Sequence, residues 1–198
     1  PRSEGGRTVY DIGPDEFEQA MEEILDMGIS VAGGCCGTTP GHIRRLNRLR
    51  AGRRQKLPQE KQSTVITSYA AAVEIGDDPV IIGERINPTG KSKFKQALRD
   101  HDLEFILREG ISQQERGAHV LDVNVGLPGI DEPQMMVDVV KELQGVLDLP
   151  LQIDTSDPVA MERALRAYNG KPMINSVNGK SEVMEAVFPL AAKYGGVL

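Results

Sequence analysis

The 198-residue sequence contains no tryptophan and only four tyrosines and four phenylalanines. Stacking of single-stranded nucleic acid and caging of cations both draw on aromatic faces, so neither activity is expected. Basic residues are also in deficit, 23 Lys and Arg against 29 Asp and Glu for a net charge of −6, which argues against a grip on phosphate backbones and for no nucleic-acid partner. No apolar run approaches the ~20 residues of a bilayer span. The opening Pro1-Arg2-Ser3-Glu4-Gly5-Gly6 lacks the apolar stretch of a secretory signal, so a cytoplasmic protein with no membrane partner is the expectation. Two cysteines cannot make a disulfide framework, and these two are neighbours, Cys35-Cys36.

What is present is an alternation of helical and short apolar segments. Residues 14–27 carry Phe17, Met21, Ile24 and Leu25 at helical spacing, with acidic residues opposite and Gly28 after them. An apolar stretch at 29–33 suits a buried parallel strand and runs into Gly34-Cys35-Cys36-Gly37-Thr38-Thr39-Pro40. There Thr38 or Thr39 can cap, and Pro40 can open, a helix over 42–50. Residues 44–56 hold seven basic side chains, Arg44 to Lys56, which read as a solvated helix end running into a linker rather than as a polyanion site. Two short runs at 64–69 and 70–75 can pair as a hairpin.

After Pro79 the rhythm becomes regular. Strands are expected at 80–83, 119–124, 151–154, 173–175 and 196–198, and helices at 94–98, 102–115, 133–144, 158–167 and 181–194, with Gly117, Gly170 and Gly195 at helix ends. Near-continuous apolar strands alternating with helices imply a parallel sheet, either a (β/α)8 barrel or a doubly wound sheet. The strand ends decide between them. Glu84, Arg85 and Asn87, then Asp122 and Asn124, then Asp154, Thr155 and Ser156, then Asn175, Ser176 and Asn178 close four successive strands, and no Gly-x-Gly-x-x-Gly follows any of them. A barrel assembles its site from all its strand C-termini, so the barrel is favoured.

The adjacent cysteines allow three readings. A vicinal disulfide strains its peptide; two inert buried thiols are possible; and a pair of soft zinc ligands at the end of a strand is the sharpest. A catalytic zinc takes three protein ligands, and the remaining soft donors are only His42, His101 and His119. Either one of these completes the set or the third ligand lies outside this sequence. Among the strand-end residues, a carboxylate such as Asp154 can accept two adjacent N–H donors of a heterocycle, and an amide such as Asn175 can meet its carbonyl and ring nitrogen. Asp122, Asn124 and Ser176 can equally serve loop amides and helix caps. Glu84 and Arg85 can form a buried structural pair at the barrel floor or rim.

Gly33-Gly34-Cys35-Cys36-Gly37-Thr38-Thr39-Pro40 with His42-Ile43, preceded by Thr8-Val9-Tyr10-Asp11 and an acidic helix, resembles the end of the homocysteine S-methyltransferase barrel. That resemblance implies that Cys35 and Cys36 bind Zn2+, with the third ligand outside this chain, and that the metal takes homocysteine as a thiolate. The segments 82–90 (Ile-Gly-Glu-Arg-Ile-Asn-Pro-Thr-Gly), 121–126 (Leu-Asp-Val-Asn-Val-Gly), 153–156 (Ile-Asp-Thr-Ser) and 174–178 (Ile-Asn-Ser-Val-Asn) resemble the first four strand ends of the pterin-binding barrels. This family includes dihydropteroate synthases and methyltetrahydrofolate:corrinoid methyltransferases.

By that resemblance Asp154 and Asn175 contact a pterin, Asp122 and Asn124 lie at the barrel mouth beneath it, and Asn175 is the residue assigned to catalysis. The two barrels in one chain resemble the cobalamin-dependent methionine synthase family, which implies methyl transfer from 5-methyltetrahydrofolate by way of cobalamin to zinc-bound homocysteine. No Asp-x-His-x-x-Gly occurs, so cobalamin is expected on another module, a domain of the same full-length protein or a separate corrinoid protein. The expected organisation is two partial (β/α)8 barrels: residues 1–56 from the end of the zinc barrel, 57–78 a linker and cap, and 79–198 the first half of the pterin barrel. The alternatives are a stand-alone pterin enzyme and an inactive fragment.

Overall fold

The structure is a computed structural model, and it describes residues 1–54 and 63–198; Lys56, Pro58 and the expected boundary at 56/57 lie outside the described residues. The chain divides into two compact units, Pro1–Glu60 and Lys61–Leu198.

In the first unit β1 (Arg2–Glu4) and β2 (Arg7–Val9) form an antiparallel hairpin. Its turn is Gly5-Gly6, with φ of 56° and 79°, the doubly left-handed geometry that two-residue hairpins select. Helix α1 (Pro14–Asp26) packs on α2 (Pro40–Leu49) through Met21, Leu46 and an edge-on contact of Phe17 with His42 at 5.3 Å. Thr39 is the N-cap of α2 and Pro40 follows it, as expected. The basic segment is used locally, since Arg45 pairs with Glu18 at 2.7 Å and with Asp15, and Arg53 pairs with Asp26 and with Glu22 at 3.6 Å. Arg45 and Arg53 are thus held by the acidic face of α1 rather than merely solvated.

The strand expected at 29–33 does not form: these residues are irregular, with Val31 89% exposed. A parallel strand exists only against a ladder partner, and among the described residues of this unit the strands are β1 and β2, which pair with each other.

The second unit begins with an antiparallel hairpin, β3 (Thr64–Thr67) and β4 (Ala72–Ile75), as expected. Then follow β5 (Ile82–Ile86), α3 (Ser92–Asp100), α4 (Leu103–Glu115), β6 (Val120–Val123), α5 (Glu132–Val146), β7 (Leu151–Asp154), α6 (Pro158–Ala167), β8 (Met173–Asn175) and α7 (Ser181–Tyr194). The four strands β5 to β8 form one parallel sheet in sequential order. A doubly wound sheet reverses its order at a switch point; sequential order is the winding of a (β/α)8 barrel, of which these are four βα units. Val197 makes one parallel bridge to Met173, so the strand expected at 196–198 is reduced to that bridge.

Strand parity places the core and the site on opposite faces. Leu121, Val123, Leu151, Ile153 and Ile174 point to the helices and join Met136, Val140, Leu143 and Met161 in one buried cluster. Each such side chain contributes roughly 1.5–3 kcal/mol by leaving water. The alternate positions, Asp122, Gln152, Asp154 and Asn175, fall on the other face.

The first strand lies later than expected because it carries a bulge. Gly83 pairs with Leu121 and Ile86 with Val123, so Glu84 and Arg85 together oppose Asp122. Gln113 accepts the freed Arg85 N–H at 2.8 Å, and the Lys91 ammonium donates to the carbonyls of Glu84 and Arg85 at 3.0 and 3.2 Å.

The β3–β4 hairpin joins the loops that precede β7 and β8. Tyr168 donates its hydroxyl to the Thr67 carbonyl at 2.8 Å and accepts the Leu151 N–H at 3.0 Å, while the Thr67 N–H reaches the Lys171 carbonyl at 2.9 Å. A Cβ on Gly170 would stand 2.2 Å from the Thr67 oxygen, so this approach requires glycine.

Candidate functional site

Two sites emerge, one in each unit. In the second, five polar side chains gather at the C-terminal ends of β6, β7 and β8. Asn124 donates its amide to Asp154 at 2.9 Å and accepts the Gly126 N–H at 2.9 Å. Asn175 donates to Asp122 at 3.3 Å, and Gln152 donates to the same carboxylate oxygen. Each carboxylate is therefore held by an amide from another strand. The Asn175–Ser176 peptide is cis.

Asp122 is only 1% exposed. Burial pushes its carboxyl above the ordinary range, and the nearby charges of Asp154 and Glu84 add to this; the Gln152 and Asn175 hydrogen bonds oppose it. At the Asn124 and Asp154 end of this layer, between the strand ends and α6 and α7, opens a cavity of about 430 Å3 lined by Asn124, Asp154, Thr155, Ser156, Ser176, Asn178 and Glu182, with Met161, Val183 and Val187 as its apolar side. A polar edge facing an apolar wall suits a flat heterocycle.

Of the four residues expected here, Asp154 and Asn124 line the cavity, whereas Asp122 and Asn175 form the hydrogen-bonded layer beside it. Asn124 serves a loop amide, that of Gly126, and also lines the cavity. Glu84 and Arg85 do not form a buried pair: both are exposed, and among the described residues neither makes an ion pair, because the bulge turns them out of the ladder. Sequence reasoning missed Gln152 and Glu132. Gln152 sits in an apolar run as an isolated amide, which is itself the available signal. Glu132 accepts the hydroxyl of the buried Thr155, which in turn accepts the Asp157 N–H at 3.0 Å.

In the first unit the thiols stand in a tight loop. Cys35 donates its N–H to the Thr38 hydroxyl at 3.0 Å, and Thr38 returns its N–H to the Cys35 carbonyl at 3.0 Å. A Cβ on Gly34 would meet the Thr38 side chain at 2.3 Å, and one on Gly37, at φ 79°, would meet the Tyr10 ring at 2.4 Å. Both cysteines are exposed free thiols, and Cys35 Sγ donates to Cys36 Sγ at 3.7 Å. Hydrogen bonds from Cys35 and from the Tyr10 hydroxyl hold the Cys36 thiol below its ordinary pKa, and the same contact raises that of Tyr10. The thiols, Tyr10 and Asp11 line a cavity of about 350 Å3.

Zinc–thiolate bonds of about 2.3 Å in a tetrahedron set two sulfurs ~3.8 Å apart, so the 3.7 Å spacing fits one shared Zn2+. His42 does not complete the set: its Nδ1 accepts from the Thr39 N–H at 3.2 Å and its Nε2 donates to the Ile12 carbonyl at 3.1 Å, so both ring nitrogens are spent on the α2 cap and a loop. Among the described residues no group of three His, Cys, Asp or Glu side chains could hold a metal, and no helix is long and apolar enough to cross a membrane.

Comparison with known proteins divides the chain in the same order. Residues 83–197 match the family model "Pterin binding enzyme", and residues 1–49 match "Homocysteine S-methyltransferase". The chain is 30% identical over 197 residues to the methionine synthase of Mycobacterium tuberculosis, covering 96% of this chain and 16% of that protein. It is 32% identical over 179 residues to the methionine synthase of Mycobacterium leprae, covering 85% of this chain and 15% of that one. The chain thus spans about one-sixth of the length of the curated relatives it matches. A solved dihydropteroate synthase of Xanthomonas albilineans aligns with 65% of this chain and 47% of its own at 25% identity and a TM-score of 0.48. With its family model covering more than half of the sequence, the chain belongs to the pterin binding enzyme family and corresponds over nearly its whole length to a segment of methionine synthases.

Proposed function

We propose that this chain works within a methyltransferase that moves the methyl group of 5-methyltetrahydrofolate, by way of cobalamin, to zinc-bound homocysteine, giving methionine and tetrahydrofolate. Residues 79–198 serve as the folate half, residues 1–56 as part of the homocysteine half, and residues 57–78 as the connection. Cobalamin is held by another module, in the same full-length protein or on a separate corrinoid protein.

The observation that carries this reading is the coexistence in one chain of a thiol pair at zinc-sharing distance and a carboxylate–amide face beside a cavity. Asp154 takes the 2-amino and N3–H edge of the pterin. Its Oδ2 already accepts from Asn124, which leaves Oδ1 and a second lone pair of Oδ2 for those two donors. Asn175 offers its amide toward O4 and N5. N5 is a poor leaving group unless protonated, and the low exposure of this face strengthens each hydrogen bond that supports that proton. Cys35 and Cys36 are the zinc ligands of this chain. When bound, zinc supplies the deprotonation of a substrate thiol at neutral pH.

Isothermal titration of the full-length protein with 5-methyltetrahydrofolate, combined with zinc retention after dialysis, tests the reading. Saturable folate binding together with zinc retained by the cysteine pair supports it. Folate binding without zinc favours a stand-alone pterin enzyme, a reading that draws on the two-ligand thiol site. Binding of neither overturns both.

A further inference from the structure

Gln152 belongs to none of the strand-end motifs, yet it lies at the centre of the polar face. It sits on β7, paired with Asp122 of β6 on one side and Met173 of β8 on the other. It is 6% exposed, and it gives a side-chain N–H to the same Asp122 oxygen that accepts from Asn175. An ionised carboxylate only accepts, so this oxygen fixes which end of the Asn175 amide faces it, namely the NH2. The carbonyl of Asn175 is thereby turned away from Asp122.

Resting on the folate reading above, we propose that Gln152 is a positioning residue for the pterin site: by anchoring Asp122 it holds the Asn175 amide in a single orientation. Without that anchor the Asp122 carboxylate keeps one amide donor and gains rotamers, and Asn175 can flip. The groups facing Asp122 are few. Glu84 from the β5 bulge and Asp154 from β7 are the carboxylates, and Asn175 of β8 does not titrate. The orienting effect therefore depends on Asp122 having a neutral donor beside it.

Two substitutions in the full chain test this by titration with 5-methyltetrahydrofolate across pH. Gln152→Met keeps the length and removes the donor, and binding is expected to weaken about tenfold at every pH, the usual loss for a buried hydrogen bond. Gln152→Glu can donate only when protonated. Relative to wild type it should bind nearly as well at about pH 5.5 and about tenfold more weakly at about pH 8, a change added to whatever the wild type itself shows, because carboxyl groups this close couple their titrations.

Wild-type binding with Gln152→Met unchanged, or Gln152→Glu following the wild-type pH profile, overturns the positioning role alone. A wild type that binds no pterin overturns the folate reading with it. Should Gln152→Met fail to fold by circular dichroism, Gln152→Glu decides, since its signature is a pH profile that altered packing does not produce.

Discussion

In the thiol loop the defining contacts are short in sequence: Cys35 to Cys36 is one residue, and Cys35 to Thr38 is three. In the carboxylate face they are long: Asn124 to Asp154 and Gln152 to Asp122 each span 30 residues, and Asn175 to Asp122 spans 53. The first site is exposed and preorganised by glycines that admit no side chain; the second is partly buried and organised by strand register. A locally built site keeps its geometry on a small unit but offers few ligands. A site built across a sheet collects groups from every strand, and its electrostatics are set by burial, as the raised Asp122 shows.

This contrast can be broken in order of expected effect. Cys36→Ala leaves one thiol in the loop and should abolish zinc retention, measured by metal analysis after dialysis, while folate affinity stays unchanged. A joint loss would show that the two sites are not independent. Asp154→Ala removes a charged acceptor and should weaken folate binding by about 2–3 kcal/mol in isothermal titration, with zinc content intact. An unaltered dissociation constant would remove Asp154 from the site.

Tyr168→Phe strands the Leu151 N–H and the Thr67 carbonyl and should lower unfolding free energy by about 1–3 kcal/mol in urea. Burial pushes this phenol up to about 12, so it remains a donor throughout the working range. A variant as stable as wild type would mean that the hairpin is not tied through this hydroxyl.

The smallest effect is a slope. Because the folded Asp122 carboxyl lies above its unfolded value of about 4, its contribution is fully present below that value and is lost as pH rises through the raised one. Asp122→Asn removes the titration. The stability difference between wild type and Asp122→Asn should therefore drift against the wild type as pH rises through that window. A difference that does not vary with pH would show that the carboxyl is not shifted.

The two regions were also legible in the sequence to different degrees. Strands β7 and β8 and helices α6 and α7 fall at the expected residues, because apolar runs bounded by glycine, proline and Asp caps specify them locally. Strand β5 lies later than its apolar run alone predicts because its bulge depends on Gln113 and Lys91, 28 and six to seven residues from the groups they hold. The apolar segment 29–33 reads as a strand, but a ladder requires a neighbour that periodicity cannot supply. Asp154 and Asn124 could be picked from strand-end position, whereas Gln152 and Glu132 act through contacts that no linear spacing reveals.

By itself the sequence determined the βα alternation, the glycine-locked thiol pair and the polar character of four strand ends, since each follows from neighbours within a turn or a strand. Only the tertiary structure decided which amide holds which carboxylate, that His42 is spent on a helix cap, and that Asp122 is buried beside Asp154. Those facts depend on register and burial, which arise when distant segments pack and which set both hydrogen-bond partners and local charge energetics.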